Sequence, residues 1–172
     1  YQSSARETYG EDADRFLDLY PGETAEQVLQ SRLQAETDKI MTRAMYRWAC
    51  RQTQKGGSDA YLYFFSHTPP EQGLGRYGAY HGAEVMYAYD NLGADGDADY
   101  TEADDQLRNQ MSAYWVNFVL TGDPNVPGLP AWPTFEQAPD HVMEFDSGGS
   151  GMTPRPRPNA VDFWMDYDGP IP

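Results

Sequence analysis

The stretch Arg76–Gly93 reads RYGAYHGAEVMYAYDNLG, and its reading decides what the rest of the chain is. One histidine, His81, stands between a tyrosine and a glycine. Tyrosines aside, the other ionisable side chains of the segment are Arg76, Glu84 and Asp90. Gly78 and Gly82 flank the histidine and mark a loop. Upstream, Ala60–Ser66 (AYLYFFS) is a continuous apolar and aromatic run that ends before Pro69-Pro70. Such a run suits a strand buried on both faces of a largely parallel sheet. His81 then falls on the C-terminal side of that strand, the edge where open α/β sheets gather ligands and catalytic loops.

Working outward, Asp12–Tyr20 puts Phe16, Leu17 and Tyr20 on one helical face, and Pro21-Gly22 ends it. Thr24-Ala-Glu-Gln27 is a capping box opening a helical region that runs to about Lys55. Val28, Leu29 and Leu33 form one stripe there, and Ile40, Met41, Ala44, Met45 and Trp48 a second. The polar Ala35–Asp38 between them suggests a restart capped by Thr37, and Gly56-Gly57 closes the region. Thr101 caps the clearest helix, with Leu107, Met111, Tyr114, Trp115, Phe118 and Val119 at core spacing and Gly122 at its end. HVMEF (141–145) reads as a short strand, residues 152–158 as a proline-rich tail, and Asn159 as the cap of a last short helix carrying Phe163, Trp164 and Tyr167. Two strands among several helices do not close a sheet, so an incomplete α/β sheet is expected.

The bulk numbers narrow the function. A chain of 172 residues is about one domain, and 40% apolar content allows a real core. Twenty-seven acids against twelve bases give a net charge of −15, a surface that repels nucleic acid and anionic membrane. No run approaches the ~18 apolar residues of a membrane span, and no signal-peptide core opens the chain. Since the sequence begins at Tyr1 rather than methionine, a natural N-terminus is expected to have been removed or to lie elsewhere. Cys50 is the single cysteine, which leaves no intrachain disulfide, and it reads as a core thiol.

Of the other histidines, His67 ends the first strand and His141 opens the second, and both read as surface or capping residues. No cofactor motif and no metal constellation emerges. Asp95, Asp97 and Asp99 alternate like a calcium loop, but its sixth position is Tyr100 where glycine is needed. Its twelfth is Gln106 where a bidentate glutamate is needed. A nucleophile elbow Gly-x-Ser-x-Gly occurs nowhere. Ser58 and Ser150 each lack the last glycine.

The segment YGAYHGAEVMYAY resembles the histidine segment of type-B carboxylesterases, the family of the bacterial para-nitrobenzyl esterases and the cholinesterases. The matching residues are Gly78, His81, Gly82, Glu84 and the run Val85–Tyr89. YLYFFSH before it, TDKIMTRAMYRWA upstream and QMSAYWVNFVLTGDPNVPGLPAWPTF downstream are similar to the same family in the same order. The resemblance implies an α/β-hydrolase fold of which residues 1–172 are a single C-terminal segment, with the catalytic-histidine loop at about 74–93. It implies that His81 is the general base of a Ser–His–Glu/Asp triad acting on small-molecule carboxylic esters. Family chain order is serine, acid, histidine, so nucleophile and acid are expected before Tyr1, on the N-terminal remainder of the hydrolase.

Glu84, three positions from His81, is read as support for the loop through a backbone hydrogen bond rather than as the triad acid. The chain alone is expected to be inactive. Two other readings stand beside this one: a non-catalytic cholinesterase-like binding protein, and a fragment that self-associates into homo-oligomers through its exposed sheet edge. The aromatics of Tyr61–Phe65 and Tyr87–Tyr89 read as core. The absence of disulfides leans towards a bacterial protein, periplasmic, secreted or cytoplasmic.

Overall fold

The computed structural model describes residues 1–70, 75–93 and 98–167. It divides into two compact units, Tyr1–Ala60 with the chain from Pro156 onward, and Tyr61–Arg155.

The first unit is helical. Helix α1 (Gln2–Tyr9) passes through a 3₁₀ turn into α2 (Ala13–Leu19), and α3 (Ala25–Thr37) leads into α4 (Arg43–Arg51). Helix α7 (Pro158–Tyr167) completes it. Thr24 caps α3 as its sequence demands, accepting from the Gln27 amide at 3.2 Å. The Gln27 side chain reaches the amide of Glu23, one residue earlier than the standard box. The expected restart at Thr37 does not occur. Its hydroxyl bonds back to the Leu33 carbonyl at 2.9 Å, and a π-helical turn, Asp38–Thr42, carries the helix through. Nor does Asn159 cap the last helix, which already begins at Pro158, a residue whose missing N–H suits a first turn.

Phe16, Tyr20, Phe163 and Trp164 pack with Ala5, Ala35 and Ala160 into the core of this unit. Full burial of an aromatic of this size is worth about 1.5–3 kcal/mol. A polar knot sits in the same core. Asp38, 2% exposed, accepts from Tyr20 Oη at 2.9 Å and from Arg157 Nε at 2.7 Å. Trp164 Nε1 donates to the Tyr20 oxygen at 2.9 Å. Burial, reinforced by the Asp38 charge, pushes the Tyr20 phenol up to about 12.

The two apolar stripes face the other way from this core. Leu29, Leu33, Ile40 and Trp48 are 57, 58, 57 and 66% exposed, and Met41 and Met45 are exposed with them. What α3, the π turn and α4 bury is small or polar: Ser31, Ala35, Asp38 and Ala49. Cys50 is half-buried rather than in the core.

The second unit holds the sheet. Strand β1 (Tyr63–Phe65) runs parallel to β2 (His141–Phe145), which pairs antiparallel with β3 (Gly151–Pro154), giving the order β1-β2-β3. The proline-rich tail therefore opens with a third strand. Strand β1 is shorter than expected and not buried on both faces: Tyr63 and Phe64 are exposed, and among the described residues β1 pairs with β2 alone.

Helix α5 (Val85–Ala88) and the twenty-residue α6 (Glu102–Thr121) cover the sheet. Leu107, Met111 and Tyr114 of α6 pack with Tyr87, Trp132, Met143 and Phe145. Phe118 and Val119, expected in the core, are exposed at the far end of α6. Gly122 closes that helix in the left-handed region, φ 80°. In the turn after it, Asn125 Oδ1 accepts from the Trp132 amide at 2.7 Å and Asn125 Nδ2 donates to the Trp132 carbonyl at 2.9 Å. Trp132 Nε1 in turn donates to the Leu62 carbonyl beside β1 at 3.1 Å.

Candidate active site

His81 lies between β1 and α5 in a series of tight turns. Tyr80 N–H donates to the Gly78 carbonyl at 2.9 Å, Ala83 N–H to the Tyr80 carbonyl at 3.0 Å, and Val85 N–H to the Gly82 carbonyl at 3.1 Å. Gly78 and Gly82 have φ of 66° and 89°, which L side chains rarely adopt. A Cβ at Gly82 would meet nothing within 4 Å, so the requirement there is conformational rather than steric. The imidazole of His81 is exposed, whereas Ala83, Tyr87 and Ala88 just after it are buried. The loop thus holds one titratable ring out to solvent on a well-anchored base.

Glu84 is half-buried. Its carboxylate accepts from Tyr63 Oη at 3.3 Å, a side-chain partner on β1 where a backbone partner was expected. Partial burial and then the Glu84 charge push the Tyr63 phenol up to about 12.

His67 overturns its sequence reading. It is buried, and its Nε2 lies 2.7 Å from Asp104 Oδ1. The same oxygen accepts from Tyr87 Oη at 2.7 Å, while Asp104 Oδ2 accepts from the Thr101 amide at 2.8 Å and hydroxyl at 2.7 Å. Burial alone would raise the Asp104 carboxyl, but the donors of Thr101, Tyr87 and His67 outweigh it and the net direction is down. An ionised carboxylate only accepts, so the proton of the short contact sits on His67 Nε2. Asp104 is also the third residue of the α6 capping box. The sequence carried that signal, Thr-x-x-Asp, but nothing in it announced the histidine.

His141 opens β2 and is exposed, as expected of a strand end. Of the aromatics read as core, Tyr87 is fully buried and Tyr89 is 76% exposed. Among the described residues no group of three or more histidine, cysteine or acidic side chains is arranged to hold a metal ion. Asp95 and Asp97 of the calcium-like spacing lie outside the described residues. Among the described residues, too, no helix is long and apolar enough to cross a membrane.

Solved structures define the fold. A para-nitrobenzyl esterase superposes on 95% of the chain with a TM-score of 0.69 at 21% identity, using 32% of its own length. A Geobacillus stearothermophilus carboxylesterase covers 95% with a TM-score of 0.70 at 24% identity, over 34% of its length. The fold is therefore part of an α/β-hydrolase. The sequence model of the carboxylesterase family matches residues 2–164, and the chain belongs to that family. It is 31% identical over 117 residues to human cocaine esterase, covering 64% of this chain and 21% of that protein. It is 33% identical over 126 residues to human carboxylesterase 3, covering 68% and 21%. Acetylcholinesterase 1 of Caenorhabditis elegans is 27% identical over 141 residues, covering 76% and 23%. The chain spans about a fifth of the length of these relatives.

Proposed function

We propose that this chain is the histidine-bearing part of a serine carboxylesterase, with His81 as its general base. The observation that carries the reading is the exposed imidazole on a turn built by two positive-φ glycines, in a chain of the carboxylesterase family. In the reaction His81, unprotonated, takes the proton of a serine hydroxyl as its oxygen attacks the ester carbonyl. The imidazolium then gives that proton to the departing alcohol, and a second round with water releases the acid. Such acid–base work is worth roughly 10²–10⁴ in rate. Small carboxylic esters are the substrate class, in keeping with the names of the relatives. Glu84, bonded to Tyr63, supports the turn from β1.

In this reading the serine, the triad acid and the oxyanion donors come from the remainder of the hydrolase domain. Two features support a partner segment. Among the described residues β1 has a strand on one side only, so its other edge is open to a further strand, and the exposed Leu29, Leu33, Ile40 and Trp48 offer apolar surface for such a segment to cover.

Hydrolysis of para-nitrophenyl butyrate by the protein that contains this chain tests the reading. It is expected to be abolished by His81→Ala and little changed by His141→Ala. Full activity in His81→Ala would overturn it. The 172 residues alone are expected to show no turnover, and hydrolysis by the pure fragment would overturn the incomplete triad.

A further inference from the structure

We propose that Asp104 is the positioning residue of the His81 turn, a buried carboxylate that locks α5 to α6 and to the exit of β1. The inference rests on His81 being the catalytic base.

Helix α5 has only four residues, too few to be stable by its own backbone bonds. Its place is therefore set by side chains, and Tyr87 is the largest of them, wholly buried. The Tyr87 ring meets His67 edge-on with centroids 5.4 Å apart and lies 5.4 Å from Phe65. Its hydroxyl ends on Asp104 Oδ1, beside the His67 donor. Three elements converge on this one carboxylate: β1 through His67, two residues beyond the strand, α5 through Tyr87, and α6 through Thr101. An ionised acceptor also suits the first turn of α6, where free amides make the helix end positive. From Tyr87 the chain returns to His81 through the successive turn bonds at Val85 and Ala83, so a shift of α5 displaces the imidazole. A surface ion pair between Asp90 and Arg108, 3.1 Å, ties the other end of α5 to α6.

Buried polar groups of this kind specify one arrangement rather than merely adding stability, because each donor has a single acceptor of fixed direction. A general base needs such definition, since a displacement of about 1 Å in a catalytic group can cost about 10²-fold in rate.

The test uses the protein that contains this chain, with Asp104→Asn, Tyr87→Phe, His67→Gln and His67→Leu, assayed well below their melting temperatures. Asp104→Asn is expected to lower kcat on para-nitrophenyl butyrate at least tenfold with KM within twofold. Tyr87→Phe should lower it severalfold. His67→Gln, which keeps an N–H donor, should retain more activity than His67→Leu. Hydrogen exchange of the amides from Gly78 to Tyr89 should quicken in Asp104→Asn while those of β2 and β3 stay slow. Unchanged kcat in Tyr87→Phe and Asp104→Asn would overturn the proposal. If Asp104→Asn does not fold, Tyr87→Phe, which deletes one oxygen, decides alone. If the wild-type protein hydrolyses no ester, the esterase reading fails by itself. Exchange then judges the lock, and protection of Gly78–Tyr89 unaltered by Asp104→Asn would overturn it.

Discussion

His67 Nε2 and Asp104 Oδ1 lie 2.7 Å apart although 37 residues separate them, and both side chains are buried. The contact joins the end of β1 to the first turn of α6, on the two sides of the His81 loop. Its carboxylate is held ionised below the usual range by the donors around it.

That direction sets a pH dependence. Unfolded aspartates titrate near 3.9, and folded Asp104 binds its proton less tightly. It therefore stabilises the fold above about pH 4, and the contribution drains away as pH falls through the lower folded value. The stability gap between wild type and Asp104→Asn, read by urea unfolding, is expected to be widest near neutrality and to shrink below about pH 4. A gap independent of pH would contradict this.

Asp104→Ala removes the acceptor outright. Buried donors of His67 and Tyr87 are then left without it, at about 1–3 kcal/mol each. The Asp104 half of the α6 capping box is lost as well, leaving the Thr101 amide without its side-chain acceptor. Denaturant unfolding should show a loss of more than about 2 kcal/mol, larger than that of Asp104→Asn.

In the helical unit Asp38 plays an equivalent part. Asp38→Ala removes the acceptor of Tyr20 Oη and of Arg157 Nε, whose side chain is one-third exposed. Removing one member of a buried pair costs about 3–5 kcal/mol, and solvent access to Arg157 lowers the expected loss to about 2–3 kcal/mol. Chemical unfolding followed by tryptophan fluorescence reads it directly, because Trp164 bonds to Tyr20.

Gly82→Ala separates conformation from contact. The added methyl has space but must sit at φ 89°, at a cost of about 1–2 kcal/mol. The turn is expected to yield in response, lowering kcat while the core stays intact. His81→Ala, at an exposed site, should change unfolding free energy by no more than about 0.5 kcal/mol, yet lower kcat by several orders of magnitude. Circular dichroism alongside ester hydrolysis distinguishes the two.

The exposed stripe makes a prediction about association. The isolated 172 residues should self-associate as concentration rises, and Leu33→Glu with Trp48→Glu should keep them monomeric in sedimentation runs. Equal association of wild type and double variant would show that the stripe is not the surface involved.

Local architecture was legible along the chain. Thr24 and Thr101 cap helices because their oxygens reach amides three residues on, Gly122 ends α6 because it accepts the left-handed region, and Gly78 and Gly82 shape the His81 turn. Those effects act over a few residues and are visible in a linear string. The family resemblance of the His81 segment belongs to the same record. The tertiary structure alone decided the rest. Periodicity put Leu29 and Leu33 on one stripe and Ile40 and Trp48 on a second, but did not show that Ala35 and Asp38 would take the core side of α3 and the π turn. A pattern defines a face without saying what covers it. Likewise His67 read as a strand-end residue until folding brought Asp104 to it, because a buried ion needs partners and the chain supplies them from wherever the fold brings one within hydrogen-bond reach.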